Sequence, residues 1–216
     1  MLKTFFNSPY FRGKELVISL FLYFGGMFAI GFGAVMTINS QAGAGGYDAL
    51  TFALSDHWNI PVSYAIYSIS FLALITAAIL RRGYPNIAAF VTSFILGQIF
   101  DFWKYLLTDV KGTSFLSSLT FLLIGICFIS LGVGAYILSK LPTNPIDDFV
   151  LALTERGLSL RVAKLSFDIP CFVLAIFLGG QIGWGSVVIT LSLGPIIQFW
   201  NTFLGSLLMK YSLTRS

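Results

Sequence analysis

Charge is what this sequence has least of. Only 10% of its 216 residues are Asp, Glu, Lys or Arg, against about 25% in soluble domains. Histidine occurs once, as His57, and cysteine twice, as Cys127 and Cys171. A lone histidine with no Cys/His cluster gives no pattern for a zinc or haem centre, so no metal and no cofactor are expected. Both cysteines lie inside apolar runs and read as small packing residues instead of a disulfide. No Ser/Lys or paired-His arrangement supplies a nucleophile and base, so an enzyme is not expected. The formal charge is +4, yet the basic residues sit at the ends of apolar segments and form no single patch, which argues against nucleic acid as a partner.

What is present in excess is apolar. Hydrophobic residues make up 56% of the chain and aromatic residues 16%, with a mean hydropathy of +0.86. These values define an all-α integral membrane protein, with the lipid bilayer as its first partner. A spanning helix needs about 20 mainly apolar residues. Six windows meet that need: Leu16–Ile38, Val62–Leu80, Ile87–Leu107, Phe115–Leu138, Val162–Leu178 and Trp184–Met209. The first carries an A-x-A sequence after it, Ala42-Gly43-Ala44, but exceeds the length of a signal-peptide core and is read as a span. Two shorter segments, Tyr47–Trp58 and Asp147–Arg156, are too short to cross.

Lysine and arginine at the span ends set the expected orientation. With the N-terminus inside, Lys3, Arg12, Lys14, Arg81, Arg82, Lys140, Arg156, Arg161, Lys164, Lys210 and Arg215 fall on the inner side, and only Lys104 and Lys111 outside. Both termini are therefore expected in the cytoplasm and the protein in the cytoplasmic (inner) membrane.

The chain also repeats itself. Gly97–Trp103 matches Gly194–Trp200, Asn59–Ala65 matches Gly157–Ala163, Gly46–Leu50 matches Pro145–Phe149, and Gly31–Ala34 matches Gly132–Ala135, all in the same order. Residues 1–110 and 111–216 then form two copies of one unit: span, loop, short helix, span, span. Three crossings per copy place the second upside down relative to the first. The expected fold is six transmembrane helices as a 3+3 inverted-topology repeat, with two short helices that either re-enter the membrane or lie at its interface.

The G-x-G-A sequence, the glycine loop with its aspartate, Leu178–Ser186 (LGGQIGWGS) and Gly194-Pro195 together resemble the YczE/YyaS/YitT family of bacterial membrane proteins, over roughly Leu16 to Leu208. The resemblance implies a polytopic inner-membrane protein and says little about chemistry.

Candidate site residues come from the two loops. Gly43, Gly45 and Gly46 cost about 1 kcal/mol each relative to alanine in a helix, and irregular backbone at membrane depth survives only against protein or water. Asp48 follows in the first turn of a short helix. In the second copy Asn144 is an N-cap, Pro145 a first helical residue, and Asp147 and Asp148 lie in the first turn. Each loop thus presents a helix N-terminus with unpaired N–H groups. Asp168, in the fifth span, reads either as an ion or proton site or as an i,i+4 partner of Lys164. Asp101 reads as the partner of Lys104 three residues on. Gly25, Ala29 and Gly33, and Ser130 with Gly134, form small-residue faces that permit close helix contact, within the chain or between copies in a homo-oligomer. The expected function is a small-solute permease or channel using Gly43–Asp48, Asn144–Asp148 and Asp168, for a small polar solute or ion of either charge. The alternative is a non-transporting accessory or assembly protein.

Overall fold

The computed structural model describes residues 14–213. Lys3, Arg12 and Arg215 lie outside the described residues, as do the side chains of Lys14, Arg161 and Lys210. The described residues form eight α-helices and no strand: α1 Lys14–Asn39, α2 Gly46–Trp58, α3 Val62–Arg81, α4 Ile87–Leu106, α5 Phe115–Leu138, α6 Pro145–Glu155, α7 Leu160–Phe177 and α8 Trp184–Leu213. The protein is an all-helical membrane protein.

Five of these helices (α1, α3, α4, α5 and α8) are long and apolar enough to cross a bilayer. The sixth expected span, α7, has 18 residues but carries Arg161, Lys164 and Asp168, too many charges for an ordinary spanning helix. The short helices start one or two residues before the expected bounds and run for 13 and 11 residues.

Local chemistry fixes the helix starts. Ser114 and Ser117 close a capping box at α5; Asn144 accepts from the Ile146 N–H with Pro145 as first helical residue; Ser159 caps α7. Each satisfies an otherwise orphaned donor.

The helix ends recur in pairs. Ser40 and Ser139 each turn a hydroxyl back onto a carbonyl three residues earlier, at 2.6 Å, and each accepts a backbone N–H from two residues later, at 3.2 Å. The next residues, Gln41 and Lys140, both have positive φ, 59° and 56°. Asn59 pairs likewise with Gly157, and Arg82 with Gly179. In each of these pairs the following N–H reaches a carbonyl five residues back (Ile60 to Ser55, Leu158 to Leu153; Gly83 to Ala78, Gly180 to Ala175), the hydrogen bond of a Schellman end. Among the described residues Gly43 is the one with positive φ that has no counterpart.

At the centre, α1 and α5 run antiparallel along a glycine seam. A β-carbon on Gly26 would lie 2.7 Å from the Gly132 carbonyl oxygen, and one on Gly33 2.7 Å from that of Gly125. Gly125 and Gly132 press on Gly33 and Gly26 in return. The seam differs from the expected Gly25/Ala29/Gly33 face: Gly25 meets nothing within 4 Å. Around this pair, α4 packs on α1 as α8 packs on α5, and α2 packs on α3 as α6 packs on α7. The short helices also cross over, α2 to α7 and α6 to α3.

Candidate functional site

The depth of each short helix can be read from its neighbours. Residues 42–45 descend along the start of α8: the Gly185 N–H donates to the Ala42 carbonyl, Gly43 abuts Gly183 and Ser186, and Gly45 faces Ile189. At Gly46 a β-carbon would lie 2.8 Å from the Asp168 carbonyl oxygen, and Ala53 meets Gly180 at the far end of α7. So α2 begins beside the ninth of the 18 residues of α7 and runs parallel to it, out to the end of the bundle that carries Lys104. There Lys104 Nζ donates to Asp56 at 2.7 Å and Ser55 at 2.9 Å.

The second short helix does the same toward the opposite end. Its cap, Asn144, accepts from Ser93 Oγ, which lies 2.8 Å from Ser70 Oγ. Ser70 is the ninth of the 20 residues of α3. The Asn144 N–H donates to Tyr136 Oη. The helix then runs beside α3 to its C-terminal end, where Arg81 donates from Nη1 to Asp148 and from Nε to Glu155, both at 2.8 Å. The Arg81 guanidinium holds the Glu155 carboxyl below the usual carboxylate range.

Both N-termini therefore stand halfway along a long helix, and the charged residues meet there. Lys164 Nζ lies 3.3 Å from Asp168 Oδ1 and 6.0 Å from the centre of the Phe167 ring. Asp48 and Asp147 both interact electrostatically with Lys164 and Asp168. Lys164 and Asp147 retain accessible surface although protein crowds them on most sides, the condition of residues on the wall of a crevice. Tyr47, beside Asp48, stacks at an angle on Phe167, with ring centres 6.2 Å apart. Its hydroxyl is buried, with the Ser70 side chain beside it. The first turn of α2 has no side-chain cap, which leaves its N–H groups free for a ligand or water.

Of the sequence candidates, the structure brings Asp48, Asp147 and Asp168 to one place. Gly43 and Gly46 are the close-packed backbone that lets the loop descend, Gly45 lies between them in ordinary contact with Ile189, and Asn144 and Pro145 form the start of α6. Asp148 is turned away and is bound to Arg81. Lys164, read in sequence only as a partner for Asp168, proves to be the shared cation; its i,i+4 spacing gave no sign of Asp48 and Asp147, both distant in the chain. Asp101 does not pair with Lys104: its carboxylate accepts from the Ser63 N–H at 3.2 Å and so caps α3. Among the described residues no group of three His, Cys, Asp or Glu side chains could hold a metal ion.

Residues 17–202 match the model of a family described as a family of unknown function, DUF6198. The chain belongs to that family. Within it the crevice, the glycine loop and both short helices all fall inside the matched residues. The chain is similar to the uncharacterized membrane protein YczE of Bacillus subtilis, 26% identical over 86% of each chain. It is also similar to the uncharacterized protein YyaS of Bacillus subtilis, 34% identical over 82% of this chain and 89% of that one. An uncharacterized protein of Haemophilus influenzae is 31% identical over 44% of each chain. The expected YczE/YyaS kinship thus holds. No solved structure matches the chain.

Proposed function

We propose that this protein is a small-solute permease of the cytoplasmic membrane, built as a 3+3 inverted repeat of six spans with both termini in the cytoplasm. Supporting the repeat are the paired helix ends, the antiparallel glycine seam between α1 and α5, and the reciprocal crossing of α2 to α7 and α6 to α3. In this reading α7 is the sixth span. Its charges are tolerated because Lys164 and Asp168 face protein and a polar crevice, as intramembrane charges do in transport proteins. The Arg81 end is cytoplasmic, by the excess of Lys and Arg there. Both short helices are then re-entrant, α2 from outside and α6 from the cytoplasm.

One observation carries the permease reading: two helix N-termini, three carboxylates and a lysine meet halfway along the long helices, at the junction of the two copies, where transporters of this construction bind solute. A capping role alone would not need Asp48 and Asp147 to share a cation on α7.

The test uses purified protein in proteoliposomes, with uptake of radiolabelled amines, amino acids and carboxylates. Asp48→Asn and Asp147→Asn are each expected to leave the thermal unfolding profile in place and to lower flux at least about tenfold. If no member of the panel moves and both variants behave as the parent in every assay, the accessory-protein reading stands instead.

A further inference from the structure

The reciprocal packing fails in one place. α3 lies along α4, but α7 does not lie along α8 in the same way. α7 packs on α2 and α6, α8 packs on α5, and among the described residues no helix packs on both. Only 6% of the apolar stretch of α8 is buried, against 50% for α3 and α5. Toward the Lys104 end, residues 43–46 wedge the two helices apart: Gly43 and Gly45 touch α8, and Gly46 touches α7. Past Gly46, toward the Arg81 end, none of the described helices packs extensively on both α7 and α8. Gly194, in the middle of α8, has open space where a β-carbon would stand. On α7 Leu165 and Ile169 are exposed, and half of the Lys164 side chain is accessible.

The chemistry at the head of this cleft selects a cation. Asp48, Asp147 and Asp168 face one lysine, a formal excess of two negative charges. The two helix N-termini offset only about half a charge each. Among the described residues the three carboxylates form no group able to hold a metal ion, and aromatic rings line the space beside them. The rings of Tyr47, Phe167 and Phe149 stand in sequence, with centres 6.2 and 5.9 Å apart. Lys164 already holds its ammonium between Asp168 and the Phe167 face, the arrangement that binds an organic ammonium. The Tyr47 hydroxyl, buried beside Ser70, adds an oxygen able to accept from an N–H group. The chain's own lysine thus occupies the place a ligand would take.

We propose that the site takes an organic ammonium with an apolar tail, which enters sideways between α7 and α8 and displaces Lys164 from the carboxylates. The charged head replaces one cation by another, and the tail stays in the cleft and the adjoining lipid. This inference rests on the permease reading only for the claim that the crevice is the pathway; binding is tested apart from flux.

The probe is decylammonium carrying a diazirine at the end of its tail, photolysed with the full-length protein in phosphatidylcholine nanodiscs, the labelled peptides being located by mass spectrometry. Label is expected on α7 and α8, to be competed by unlabelled decylammonium and not by decanoate. Asp48→Asn combined with Asp168→Asn should reduce it at least about tenfold. Lys164→Ala should increase it about threefold or more, because the internal competitor is gone; Lys164→Gln serves if the alanine variant fails to fold. Equal labelling by the decanoate analogue, label spread evenly over α3 and α4, or a loss of label in both Lys164 variants would overturn the proposal. Label on α7 and α8 without decylammonium flux in proteoliposomes would remove the permease reading alone. Flux of other solutes without such label would remove this inference alone.

Discussion

Gly33→Val is expected to destabilise the protein by on the order of 3 kcal/mol or more. A β-carbon there would sit 2.7 Å from both the Gly125 carbonyl oxygen and the Ile129 N–H nitrogen. Those are backbone atoms of α5 and cannot swing aside as a side chain could. The two helices would have to separate, and the largest of the contacts between the two halves of the chain would be lost with them. Gly26→Val, one end of the same seam, should act alike. Gly25→Ala is the control with the opposite sign. It meets nothing within 4 Å, and alanine is favoured over glycine inside a helix by about 1 kcal/mol. Unfolding in mixed micelles should rank the three variants in that order. Equal effects at Gly25 and Gly33 would show that the seam does not hold the halves together.

Arg81→Ala is expected to cost about 3 kcal/mol, near the low end of what an orphaned buried charge costs. Arg81 fastens the end of α3 to α6 through Asp148, whose side chain is only 10% accessible. Without the guanidinium that carboxylate has no cation. Most of the loss is therefore expected to return in the Arg81→Ala/Asp148→Asn double variant, whose stability measures the coupling. Arg81→Lys should rescue poorly, because a point-like ammonium cannot serve Asp148 and the two oxygens of Glu155 together. Glu155 is exposed and contributes little in itself. Its folded pKa is depressed by Arg81, so what it contributes is present above its unfolded pKa and fades as pH falls through the folded one. A double variant no more stable than Arg81→Ala would mean that the loss comes from packing of the arginine stem.

Why some features were legible and others were not follows from where their information lies. The long apolar runs alone define α1, α3, α4, α5 and α8, since each must bury its backbone within itself in lipid. The start of α6 was equally plain in Asn144-Pro145, because capping is local chemistry. α7 was read as a span, yet its composition is ambiguous: three charges in 18 residues are acceptable only against neighbours that the sequence does not place. The same limit explains Lys164. Its partner at i+4 is written in the sequence, but Asp48 and Asp147 reach it through the packing of α2 and α6 on α7. Asp101 and Lys104 failed for the converse reason. Their i,i+3 spacing suggested a pair, but the folded chain offers Lys104 the end of α2 and offers Asp101 an uncapped N–H at α3. The small-residue faces were legible in part: Gly33 lies in the seam and Gly134 packs closely on Trp200 and Asn201 of α8, but Gly25 meets nothing, and the seam glycines Gly26/Gly33 and Gly125/Gly132 repeat at seven, the interval that returns to the same helix face after two turns.

In the proposed permease α2 starts deep in the membrane beside α7 and ends at the outer surface, with its first turn at the charged crevice. Single cysteines at Asp48 and Asp56, in a background with Cys127 and Cys171 replaced by serine, test it most directly with a charged, impermeant thiol reagent applied to right-side-out and inside-out vesicles. Position 56 is expected to react from outside only and position 48 from the cytoplasmic side only, although both lie on one short helix. Labelling of both positions from the same face at similar rates would contradict it.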